Sequence, residues 1–434
     1  MENKRPEWTS YISFILATVG SAVGLGNIWR FPYVMGEYGG AIFLLVYLFI
    51  IAFICVIPLA LELAMGKIYK GDVVSVYDKI NPKFKVFGLL GVITSILICC
   101  FYFVVGGWII NYIWIFLIND VPADFSAYFL TMNSDPQIPI ILTILFLLLT
   151  VIFPFLGVNK GIEKANNIMM PLFGLMLLIL AGYALTLSGA PEGLKFMLKP
   201  DFSKISGPMF LAAFGQALFT LSIGMGAMIT YGSYLKQEVN IKKSVYTLIV
   251  FDTIVALLAG VVIFPIVFTN GIEPTAGATL VFISLPQIFL SLPFTRILAV
   301  LFFVLLFFAA ITSGISLLET AVACFSDHYK MSRKKASFLL FFVIALLSIP
   351  ASLSFGLMAD FQIFGKTFFD FLDSLTSNIL MPVGTIIVCL VCGWYAKNIA
   401  KEALGEGVFS NFLMFILKFI LPVIMTAVLF VGLT

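Results

Sequence analysis

The chain has 434 residues, 61% apolar and only 11% charged, with a mean hydropathy of +1.11, a balance that excludes a soluble globular protein. What remains is an all-α polytopic membrane protein, because helices of roughly twenty apolar residues satisfy their own backbone groups within a bilayer. The formal net charge of +3 marks no nucleic-acid partner; the informative quantity is where the basic residues fall.

In chain order, M-E-N-K-R-P-E-W leads straight into the first apolar segment, and no cleaved signal peptide is expected. Hydropathy predicts eleven spans, at 10–35, 40–66, 87–118, 138–156, 166–188, 208–235, 244–268, 295–326, 335–354, 367–395 and 409–433. With a cytoplasmic amino terminus, eighteen of the twenty-five basic residues, from Lys4 and Arg5 to Lys397 and Lys401, lie on inner segments. An odd number of spans then leaves Thr434 outside. Between spans seven and eight, residues 269–294 are too long and too apolar for a plain connector. They are expected to fold back over the outer face, as a lid or as a re-entrant packing element. The six cysteines, Cys55, Cys99, Cys100, Cys324, Cys389 and Cys392, fall in or at the ends of apolar segments, so no disulfide framework is expected. Cys389-x-x-Cys392 reads as a pair of small core residues rather than a redox or zinc motif.

The first span is unusual, because Gly20 to Pro32 reads G-S-A-V-G-L-G-N-I-W-R-F-P. Glycine weakens a helix and proline lacks a backbone donor, so this run is expected to unwind part-way across the bilayer. Unwound backbone at that depth survives where it lines a site; its carbonyls suit a cation and the amides of the new helix end suit an anion. Val23-Gly24-Leu25-Gly26 recurs as Ile223-Gly224-Met225-Gly226 in span six. Five spans separate the copies, the signature of an inverted-topology repeat with paired broken helices.

The motifs R-P-E-W at 5–8, G-S-A-V-G-L-G-N-I-W-R-F-P at 20–32, G-G-A-I-F at 39–43, P-L-A-L-E-L-A-M-G at 58–66, G-Q-A-L-F-T-L-S-I-G-M-G at 215–226 and A-I-T-S at 310–313 together resemble the neurotransmitter:sodium symporter family. The resemblance covers most of the chain. It implies sodium-coupled import of an amino acid across the plasma membrane by alternating access. Residues 1–190 (spans one to five) and 205–396 (spans six to ten) would be the inverted repeats, and 409–434 an eleventh span outside them. The absence of a twelfth span, common in the family, leaves a homodimer open.

Residue by residue, the resemblance implies two sodium sites. The first would use the Ala22 carbonyl, Asn27, Thr220, Asp252 and the substrate's carboxylate, so that ion and substrate touch. The second would use the carbonyls of Gly20, Val23 and Ala309 with the hydroxyls of Thr312 and Ser313, although hydroxyls in membrane helices also serve plain interhelical bonding. Many relatives carry a neutral amide at Asp252, and chloride-dependent ones a hydroxyl one turn later, where this chain has Ala256. Chloride-independent transport is therefore expected, with Asp252 supplying the negative charge; the alternative is a protonated Asp252 bonded to a neighbouring helix. The substrate site would comprise Ser21, Ala22, Val23, Gly24, Leu25, Gly26, Ile98, Tyr102, Phe219, Thr220, Ser222, Met225, Ser313 and Leu317. Amides near Leu25 and Gly26, with Tyr102, would hold the carboxylate. Glycine at position 24, where monoamine-binding relatives carry an acid, argues for a ligand that brings its own. Met225 suits a large apolar or aromatic side chain.

Gates are expected on both faces: Arg30 with Asp373 or Asp370 outside, and Arg5 with Asp327 inside, beside Trp8, Ser233 and Tyr234. Arg5 could equally be a topology-setting charge, and Glu62, an acid inside span two, has no assigned role. An enzyme is not expected, because the single histidine, His328, lies in a basic loop rather than at mid-span. An amino-acid sensor without transport, or a channel on the same fold, is the alternative.

Overall fold

The computed structural model describes residues 5–118, 120–271 and 281–433; Lys4, the centre of the 269–294 loop at 272–280, and Thr434 lie outside the described residues. Among the described residues, nine helices are long and apolar enough to cross a membrane: Ala41–Tyr69, Pro82–Ile118, Gln137–Leu156, Val158–Ala184, Ile241–Thr269, Thr295–Asp327, Arg333–Ser352, Phe368–Tyr395 and Ser410–Phe430. The first expected span is a pair, Tyr11–Ala22 and Gly26–Glu37, bent by 47° at a short break. The sixth is divided into Gly207–Thr220 and Ala227–Gly232, each too short to cross alone. Both glycine-rich stretches thus interrupt helices.

The breaks follow from local chemistry. Ser10 caps the first helix by accepting from the Ser13 amide, and after Ala22 the chain leaves helical geometry at Val23, with ψ of 87°. A single π-helical turn at Gly26–Arg30 restarts it, and Pro32 then sits in the first turn of the next helix, where its missing N–H costs nothing. In the second break Ser222, Gly224 and Gly226 take left-handed backbone, with φ of 53°, 84° and 81°. Glycine is needed at the last, where a Cβ would lie 2.7 Å from a Val73 methyl.

Two helices form the centre, with 72% of the most apolar stretch of Pro82–Ile118 and 67% of that of Thr295–Asp327 buried in protein, against 22% for Ser410–Phe430 at the periphery. The central pair packs together, and the broken helices lie against it. Outer helices present Leu172, Leu175, Leu178, Phe342 and Leu346 outward, as a bilayer-facing surface does.

Trp108 organises one end of the bundle, with ring centroids 5.0 Å from Phe129, 5.1 Å from Phe355 and 5.4 Å from Phe282. Phe282 belongs to the 269–294 loop, and its carbonyl accepts from the Tyr112 hydroxyl. With Val281, Leu285 and Ile288 also buried, the described end of that loop is a packed element. One small departure from all-helical structure is a two-stranded hairpin pairing Gln362–Ile363 with Lys366–Thr367. All six cysteines are free and buried.

Candidate functional site

The four protein residues expected at the first cation site converge where the first break meets Gly207–Thr220 and Ile241–Thr269. All are buried. Thr220 Oγ1 lies 2.9 Å from Asp252 Oδ1, 3.0 Å from Asn27 Oδ1 and 3.4 Å from the Ala22 carbonyl. A hydroxyl has one proton and can donate to only one of these three oxygens. The remaining oxygen–oxygen approaches are repulsive unless a positive charge lies among them, and hard oxygens of this kind suit an alkali or alkaline-earth cation. Asn27 Nδ2 donates to Asp252 Oδ1 at 2.8 Å and the Tyr47 hydroxyl to Oδ2 at 3.0 Å. Among the described residues, Asp252 makes no ion pair.

The residues expected at the second site join the same break to the middle of Thr295–Asp327. Ser313 Oγ lies 3.2 Å from the carbonyls of both Gly20 and Ser21, crossing between helices. Thr312 Oγ1 instead bonds within its own helix, to Phe308 O at 2.9 Å and Ala309 O at 3.2 Å. Val23 is buried and non-helical at this edge.

Every residue expected around a substrate, except Val23, lines one small pocket. Val23 is fully buried and is not among the lining residues. The Tyr102 hydroxyl is buried with no hydrogen-bond partner. A Cβ on Gly24 would lie 3.3 Å from that hydroxyl and 3.2 Å from Ser313 Cβ, so no acid fits at position 24 without displacing them. Phe219, Tyr102, Met225, Ser222 and Leu317 are among the walls of the pocket. Ser21 Oγ donates to Ser316 Oγ at 2.7 Å, tying the break to Thr295–Asp327.

The two faces differ. At one end of the bundle Arg5 pairs with Asp327, its Nε donates to Ser233 Oγ at 2.9 Å, and its guanidinium sits 4.8 Å over the Tyr234 ring. Trp8 is buried beside it, bonded from Nε1 to Tyr231 O at 3.1 Å and from its amide to Tyr234 O at 3.0 Å. Glu319, fully buried, accepts from Tyr234 and from Arg333. Asp72, in the loop before Val73–Ile80, caps that helix through Val74 N at 2.9 Å, and burial pushes its carboxyl above the usual range. Toward the other end Arg30 reaches no ion-pair distance to Asp373 or Asp370 among the described residues. Its Nε and Nη1 are buried without partners, and it lies 5.2 Å over the Phe219 ring. Asp370 is engaged with Thr367 at a helix start, leaving Asp373 as the acid whose field reaches Arg30.

Several residues in this machinery were not singled out from the sequence: Tyr47, Gln216, Glu319 and Arg333. Gln216 Nε2 donates to Gly26 O at 2.9 Å and so supports the first break. Glu319 carried a usable signal, an acid inside an apolar span. Glu62 now has a structural part: its Oε1 accepts from Gly224 N at 2.7 Å, satisfying an amide freed by the second break.

The sodium:neurotransmitter symporter family model matches residues 5–133 and 130–434. The sodium-dependent transporter YhdH of Bacillus subtilis is 37% identical over 97% of this chain and 96% of its own length. The sodium-dependent transporter MJ1319 of Methanocaldococcus jannaschii is 32% identical over 99% of this chain and 90% of its own. Among solved structures, MhsT in complex with L-phenylalanine superposes with a TM-score of 0.91 at 42% identity, over 99% of each chain.

Proposed function

Because the chain belongs to the sodium:neurotransmitter symporter family, and is a sodium-dependent membrane transporter rather than an enzyme, we propose that it imports a large apolar or aromatic amino acid by alternating access, with two sodium ions and without chloride. The observation that carries this reading is the set of oxygens from Asp252, Asn27 and Ala22 around Thr220 Oγ1. A buried carboxylate with no ion-pair partner in the protein is several kcal/mol unfavourable, on the order of 3 or more, unless a cation or a proton joins it. Sodium does so while leaving a coordination position for the substrate's carboxylate. The charge that chloride supplies in chloride-dependent relatives is then already present in Asp252.

The lining of the pocket suits the cargo. Tyr102 has a free hydroxyl to donate to a carboxylate, Gly24 leaves room for it, and Met225, Ile98 and Leu317 offer an apolar end. The L-phenylalanine in the MhsT structure is a side chain of that size class. Spans one to five and six to ten act as the opposed repeats around this site, with the amino terminus cytoplasmic and the carboxyl terminus outside.

The test is uptake of a panel of radiolabelled amino acids into proteoliposomes, with and without an inward sodium gradient, in chloride-free buffer. Accumulation of aromatic and large apolar amino acids that requires sodium and not chloride is the expected result. Binding without accumulation would assign a sensor instead.

A further inference from the structure

Asn166 lies in Val158–Ala184, a helix that the sodium sites proposed above do not use. Its side chain is fully buried, and its Oδ1 has no hydrogen-bond partner. The orientation of the amide is fixed, because Nδ2 donates to the Ile162 carbonyl at 2.9 Å. A flipped amide would set two oxygens against each other. Oδ1 therefore points away from its own helix, and the residue it points at is Gly20: a Cβ built there would collide with it. The same position is 3.1 Å from Thr312 Cβ. Asn166 and Thr312 thus face Gly20 from two different helices, at the backbone whose carbonyl already lies 3.2 Å from Ser313 Oγ.

An unpartnered buried amide oxygen is unfavourable by roughly 1–3 kcal/mol. It is tolerated here beside Gly20, whose carbonyl, with the oxygens expected from Ala309, Thr312 and Ser313, would be a hard donor suited to sodium. We propose that the Asn166 amide oxygen is a ligand of the second cation site, contributed by Val158–Ala184, so that this ion joins three helices rather than two. The proposal deepens the reading of that site and rests on it. It also gives Gly20 a reason to be glycine, since any side chain there would displace the Asn166 oxygen.

The test uses the purified full-length protein in detergent, with sodium itself as the probe, read by equilibrium binding of radioactive sodium and by thermal stability across a sodium titration. Asn166→Ala and Asn166→Leu both remove the oxygen, the second keeping the volume, and each should raise the half-saturating sodium concentration by roughly tenfold. Asn166→Asp keeps an oxygen and should retain near-normal sodium binding. The double variant Thr312→Ala with Ser313→Ala serves as the reference. If it weakens sodium binding while neither Asn166→Ala nor Asn166→Leu shifts the midpoint, the site stands and Asn166 is not part of it. Lowered thermal stability at every sodium concentration with an unchanged midpoint would likewise make Asn166 a packing residue. If the double variant itself leaves sodium binding unchanged, the second site is misplaced and the proposal falls with it.

Discussion

In the orientation proposed above, the inner and outer faces carry the same chemistry, an arginine near an acid, but in opposite conditions. Inside, Arg5 is paired with Asp327, bonded to Ser233 and stacked over Tyr234, while Glu319 receives both Tyr234 and Arg333. Outside, Arg30 has buried N–H groups without partners and is 5.2 Å over Phe219, a wall of the cavity. Arg5 keeps one buried N–H group, Nη2, without a partner, but it holds an acid where Arg30 does not. In the alternating access proposed above, that difference would let binding at the centre be converted into closure at the Arg30 end, followed by opening at the Arg5 end.

Breaking the bonded side should have the largest effect. Arg5→Ala removes the ion pair, the bond to Ser233 and the contact over Tyr234 together, and should reduce uptake by roughly tenfold or more while exposing the inner pathway. Reactivity of a cysteine placed at Ser233 toward a membrane-impermeant reagent applied from the inner side measures this, and unchanged reactivity would mean the Arg5 network is not a gate. Arg30→Ala should be milder, weakening substrate retention by roughly fivefold through loss of closure over Phe219, with sodium binding unchanged. The dissociation rate of bound substrate reads it directly. The smallest effects separate the two acids of the outer face. Asp373→Asn should mimic Arg30→Ala, whereas Asp370→Asn should leave transport intact and lower stability by about 1 kcal/mol through its lost helix-start contact with Thr367. The opposite pattern would reassign the outer gate to Asp370.

Some of this architecture was legible in the sequence because it breaks local rules. Gly20, Gly24, Gly26 and Pro32 conflict with an uninterrupted spanning helix whatever surrounds them, and the repeat at 223–226 conflicts in the same way. Asp252 is expensive inside an apolar run, so its identity alone marks it. The gate pairs were expected from the resemblance, but whether Arg30 reaches an acid depends on how far two helices lie apart, which no local pattern records. Tyr47 and Gln216 read as ordinary members of apolar helices, and their parts exist only because folding sets a hydroxyl 3.0 Å from Asp252 and an amide 2.9 Å from the Gly26 carbonyl. Asn166 is hidden for the same reason. Val23, expected in the pocket from the resemblance, is buried but not among the residues that line it.

In the function proposed above, Asp252 is a buried carboxylate that shares a cation with the substrate, and Asp252→Asn tests that most directly. Uptake of L-phenylalanine by this variant and by the unaltered chain would be compared in proteoliposomes under an inward sodium gradient, with chloride present and with chloride replaced by gluconate. The predicted result is full activity of the unaltered chain in both buffers, and activity of Asp252→Asn that is lost without chloride or lost altogether. Normal chloride-free uptake by Asp252→Asn would contradict the assignment of Asp252 as the fixed charge of the sodium site.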